Sequence, residues 1–91
     1  MPYAVLLHPK ALKALRGLPP EDRNRVKRAF RAPEADPFRA RPGADIKRLR
    51  GTKGRQDLFR LRAGRYRAVY AVVGSEVLVT DLFERGAGYE V

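Results

Sequence analysis

The stretch "FRLRAGRYRAVYAVV", residues 59 to 73, decides how this chain folds, because it sets two strand-like runs on either side of a small turn. Apolar and cationic residues alternate around the turn, as expected of a pleated strand whose successive side chains point to opposite faces. With Ala63-Gly64 as a two-residue hairpin turn, facing residues pair Arg62 with Arg65, Arg60 with Arg67, Leu61 with Tyr66 and Phe59 with Ala68. Phe59, Leu61, Tyr66, Ala68 and Tyr70 then share a core face, while Arg60, Arg62, Arg65 and Arg67 share the other. Like charges directly opposed across strands are destabilising. An anion held between them supplies the compensation, and phosphate suits it. Guanidinium forks make paired hydrogen bonds to phosphate and keep their charge at any working pH.

Downstream, "EVLVTDLF" (76–83) reads as one more strand after Gly74-Ser75. A two-residue loop there puts Arg67 on the face of Thr80 and Leu82. A three-residue loop including Glu76, or a bulge near the strand end, instead pairs Arg67 with Phe83 and Arg65 with Arg85. The three-residue loop is the expectation, since it brings Arg85 onto the arginine face and keeps Leu78 and Leu82 with the core.

Upstream, "YAVLL" (3–7) has strand composition, and His8-Pro9 marks a helix entry. Leu12, Leu15 and Leu18 then fall on one helical face. A second helix begins at Pro20, with Glu21 and Asp22 at its positive end, Arg28 and Arg31 near its negative end, and Val26, Ala29 and Phe30 as its buried stripe. Only Gly17 to Pro19 separate the two, so an αα-hairpin is expected. Residues 32 to 45, with three prolines and a glycine, read as a loop, and "IKRLRGTKG" (46–54) as a basic connection. The order β-α-α-β-β-β predicts a single α+β domain over residues 1–91: a small antiparallel β-sheet with an N-terminal strand and the αα-hairpin packed on one face.

Composition narrows the function classes. The net charge of +10 is concentrated: residues 39 to 67 hold eleven cations against two acids, and the rest of the chain holds nine against eight. A codon bias explains many arginines more easily than their placement, so a polyanionic partner is expected. No cysteine is present, which removes disulfides and thiolate metal sites. His8 is the lone histidine and makes no metal site by itself; no metal or other cofactor is expected. No basic leader opens the chain, and no apolar run approaches the ~20 residues of a membrane span, so a cytoplasmic location is expected.

These segments, in this order and spacing, resemble the RelE/ParE toxin superfamily of toxin-antitoxin pairs. The resemblance rests on the opening strand with "HPKALKALRGLP", on Asp36-Pro37, on "KRLRG" (47–51), on "FRLRAGRYRAVYAV" (59–72), and on Arg85 with Tyr89 four residues later. It implies a small sheet with two helices on one side. In its RelE-like branch it implies metal-independent cleavage of messenger RNA in the ribosomal A site. By position, Arg67 matches the arginine of a "YR" motif, Arg85 the late catalytic arginine, Tyr89 the C-terminal tyrosine, and Arg60 a catalytic lysine or arginine. Lys47, Arg48, Arg50, Lys53 and Arg55 resemble the surface that grips ribosomal RNA, to which Arg62 and Arg65 add RNA-binding charge. Glu84 stands where related toxins often carry histidine. The implied partners are the ribosome with its mRNA and a cognate antitoxin, in a toxin-antitoxin hetero-oligomer. Two alternatives remain open: a ParE-like toxin that poisons gyrase by binding, and a non-catalytic basic nucleic-acid-binding module.

Overall fold

A computed structural model describes residues 3–49 and 58–86. Eight elements follow in order: β1 (Ala4–Leu7), α1 (Pro9–Arg16), α2 (Pro20–Ala29), α3 (Arg31–Ala35), β2 (Ile46–Leu49), β3 (Leu58–Ala63), β4 (Tyr66–Val73) and β5 (Glu76–Glu84). The strands form one sheet in the order β1-β5-β4-β3-β2, with β1 parallel to β5 and every other pair antiparallel. The α+β class and the helix pair on one face are as the sequence predicts.

The helices start and stop where local chemistry dictates. Pro9 occupies the first turn of α1, and His8 caps it, its Nδ1 accepting from the Lys10 N–H at 3.0 Å. Pro20 opens α2, with Glu21 and Asp22 in its first turn and Lys27 and Arg28 in its last, the arrangement that complements the helix dipole. Ala11 and Leu15 from α1, Val26 from α2 and Phe30 at its end are buried against Phe59, Leu61, Tyr66, Ala68, Tyr70, Val77, Val79 and Leu82 of the sheet.

Four expectations are corrected. Residues 46–49 form β2 rather than a connection: its exposed Lys47 and Arg48 disguise a strand, yet a charged edge strand is how a sheet discourages further pairing. The expected loop at 32–45 holds most of the short helix α3, and Arg41 staples the rest by donating to the Ala32, Asp36 and Arg39 carbonyls at 2.8, 3.1 and 2.6 Å.

The third and fourth corrections concern register. In both hairpins the two-residue turn places glycine first, Gly64-Arg65 and Gly74-Ser75, each glycine with positive φ. Turns of this kind follow the right-handed twist of the strands and demand a positive φ at their first central residue. The β3–β4 pairs are therefore Arg62 with Arg67, Arg60 with Val69, Leu61 with Ala68 and Ala63 with Tyr66. The division into faces survives, because the shift is by two residues; the proposed Arg62–Arg65 and Arg60–Arg67 pairs do not.

In β5 the register shifts between Val69 and Tyr70 of its partner, leaving Thr80 as the extra residue of a bulge. The bulge explains a change of parity in the sequence: Val77 and Val79 face the core, then Leu82 does, with Thr80-Asp81 between them. Arg67 pairs with Phe83 as expected, but through the bulge and not a three-residue turn. Leu78, opposite Ala71, lies on the face away from the helices rather than in the core.

Candidate functional site

The helix-free face of the sheet carries the basic residues. Arg60 and Arg62 from β3 and Arg67 from β4 lie on it by register, and Lys47 from β2 stands opposite Arg60. Arg85 follows the last residue of β5, and its N–H donates to the Arg65 carbonyl at 2.6 Å, which continues the Arg67–Phe83 pairing by two residues. One hairpin and the end of the next strand thus bring four guanidinium groups to one place.

Electrostatics register that convergence. Arg67 is half-buried, and burial first, then the like charges of Arg60, Arg62 and Arg85, hold its pKa below the usual arginine range. It remains charged at neutral pH. A partly desolvated cation among cations is an arrangement that an anion relieves. Arg60 is the best covered of its paired neighbours, with 18% of its side chain exposed against 44% for Arg62. Its buried Nε finds no hydrogen-bond partner among the described residues.

Among the described residues, one acid meets this cluster. Asp45 Oδ1 lies 3.1 Å from Arg60 Nη2, and Oδ2 lies 3.8 Å from Arg62 Nη1. Sequence reasoning counted Asp45 only as a minority charge in a basic block. A lone acid preceding a strand amid cations was the available signal.

Arg65 is placed elsewhere. As the second residue of the turn, it donates to Asp22 Oδ2 at 3.2 Å, lies over the Tyr66 ring, and has Glu84 Oε2 at 3.8 Å from its Nε. Tyr66 Oη donates to the same Asp22 oxygen at 2.9 Å. These contacts tie α2 to the hairpin, a role for Asp22 that its position in a first helical turn concealed. Glu84, which stands where related toxins often carry histidine, is an ion-pair partner of Arg65. Arg48 pairs with Phe59 and so belongs by register to the helix-bearing face, away from the arginine cluster. Arg50, Lys53, Arg55 and Tyr89 lie outside the described residues. Tyr70 is fully buried in the core, donating to the Pro37 carbonyl at 2.5 Å, and burial raises its pKa.

Among the described residues no group of three or more histidine, cysteine or carboxylate side chains is arranged to hold a metal, and no helix is long and apolar enough to cross a membrane. The arrangement suits an anion that offers several acceptor oxygens.

Comparison with known proteins places the chain among toxins of type II toxin-antitoxin systems. The family model of the ParE toxin of the type II toxin-antitoxin system parDE matches residues 5–87. RelE1 of Methanocaldococcus jannaschii is 28% identical over 92 residues, covering 99% of this chain and 98% of that protein. A chain of the archaeal RelE-RelB complex from Pyrococcus horikoshii superimposes with a TM-score of 0.78 at 33% identity, covering 97% of this chain and all of that one. A chain of the toxin-antitoxin complex RelBE2 from Mycobacterium tuberculosis gives 0.75 at 27% identity, covering 93% of this chain and all of that one.

Proposed function

Because the chain belongs to the RelE/ParE superfamily of type II toxin-antitoxin toxins, we propose that it is a ribosome-dependent endoribonuclease that cleaves messenger RNA without a catalytic metal and so blocks translation. The observation that carries this reading is the meeting of Arg60, Arg62, Arg67 and Arg85 on the open face of the sheet, where Arg67 feels the other three charges. Its similarity to RelE proteins of identity up to 33% supports the same choice.

Cleavage of this kind needs the ribose 2′-hydroxyl deprotonated, the pentavalent phosphate stabilised and the 5′ leaving oxygen compensated. Arg67 and Arg60 neutralise the non-bridging oxygens, an electrostatic contribution that is commonly the largest in such catalysis. Arg85, which gives up its proton too reluctantly to be a true acid, stabilises charge at the leaving oxygen. The base is Tyr89 by the family resemblance, a phenol whose ionised form cationic surroundings would favour. Lys47, with Arg50, Lys53 and Arg55, grips ribosomal RNA.

The relatives in complexes with RelB support a cognate antitoxin here, and charge complementarity makes an acidic segment of it the natural cover for the basic face. The toxin acts where ribosomes are, in the cytoplasm. A second reading, gyrase poisoning by binding, draws on the ParE family model. Sequencing mRNA ends after incubation in a purified translation system separates the two. Cuts at ribosome-occupied codons are expected; intact message together with inhibited gyrase supercoiling would transfer the protein to the second reading.

A further inference from the structure

Asp45 has two parts that do different things. Its backbone belongs to the frame, the carbonyl accepting from the Arg62 N–H at 2.9 Å. Its carboxylate is half exposed and reaches Arg60 and Arg62. Exposed ion pairs contribute little to folding, so the fold alone does not account for aiming a carboxylate into the cluster. The other ion-paired acids among the described residues are engaged elsewhere: Asp22 with Arg65 and Arg25, Asp36 with Arg39, Asp81 with Lys10, and Glu84 with Arg65.

Among the described residues, one carboxylate against four guanidinium groups leaves the cluster under-neutralised, and the buried Nε of Arg60 is still unmet. Without Asp45, four like charges repel and the side chains splay into water, so the carboxylate keeps Arg60 and Arg62 assembled. It also occupies donors that an incoming phosphate needs.

We propose that the Asp45 carboxylate is a resident counter-anion that an RNA phosphate must displace from Arg60 and Arg62, which makes Asp45 a specificity-determining residue of this site. A stray phosphate, held by charge alone, competes poorly with an anion attached to the protein. A phosphate presented together with further contacts, as on a strand held in place, displaces it. This role rests on the reading of the cluster as a phosphate seat.

The test is binding of a fluorescein-labelled single-stranded RNA oligonucleotide to the full chain, followed by anisotropy across a salt series. Asp45→Asn is expected to lower Kd by about fivefold, the equivalent of one solvent-screened charge contact. It should also steepen the dependence of log Kd on log salt by about 0.7, as one more neutralised phosphate on a single strand does. Glu76→Gln makes the same change in net charge at an exposed position outside the cluster, and is expected to leave both unchanged. In an Arg60→Ala/Arg62→Ala background the gain from Asp45→Asn should vanish. A gain no larger than that of Glu76→Gln, or one that survives in full in that background, overturns the role of Asp45 and leaves the phosphate seat standing. If Arg60→Ala/Arg62→Ala binds RNA as tightly as the wild type, the seat itself falls, and the role of Asp45 with it.

Discussion

Asp22 illustrates how one side chain can hold a site without entering it. Its carboxylate accepts from Tyr66 and Arg65, and these two hydrogen bonds, the tyrosine's first, hold its pKa below the ordinary value of 3.8. A group lowered in the folded state lends stability that is complete above its ordinary pKa and is lost as pH falls through the lowered one. Asp22→Asn is therefore expected to melt below the wild type at pH 7 and by the same margin at pH 5, the gap closing under about pH 4. A gap that stayed constant in thermal melts down to pH 2 would remove the ion pair from the account. The residue also marks a limit of sequence reading. Phe59, Leu61, Tyr66, Ala68 and Tyr70 were legible as core because strand alternation is local. The Asp22–Tyr66 contact spans 44 residues, and no local pattern encodes a contact of that range.

At the scale of elements, the register of two hairpins decides which arginines meet. Gly64 holds φ +63°, and a Cβ built there would lie 2.9 Å from the Arg25 Cδ. An L-residue in that conformation costs about 1–2 kcal/mol, so Gly64→Ala should lower the unfolding free energy by about that much in urea titrations. An unchanged midpoint would mean that the turn is not where the register puts it. The faces of β3 and β4 were readable because a slip of two residues preserves them. The sequence leaves the turn open by one residue, because Ala63-Gly64 and Gly64-Arg65 differ only in whether glycine comes second or first. Likewise the bulge at Thr80 was written in the sequence as a parity change between Val79 and Leu82. From sequence alone it is not separable from a longer loop, because either device brings Phe83 to Arg67. β2 is hidden in the sequence because edge-strand charge resembles loop charge.

For the molecule as a whole, the placement of charge matters more than its amount. A net charge of +10 attracts any polyanion, and a basic chain of this kind needs no site to do so. The proposed function requires more: that guanidinium groups from β3, β4 and the end of β5 act on one phosphodiester. The direct test compares mRNA cleavage on programmed ribosomes by the wild type, Arg67→Ala and Arg31→Ala, the last two equal in net charge. Arg31 is exposed at the start of α3, away from the sheet's open face. Loss of about a hundredfold or more in cleavage rate is expected for Arg67→Ala, the scale of removing one transition-state donor, with Arg31→Ala cutting at the wild-type rate. Equal rates for Arg67→Ala and the wild type would contradict the account.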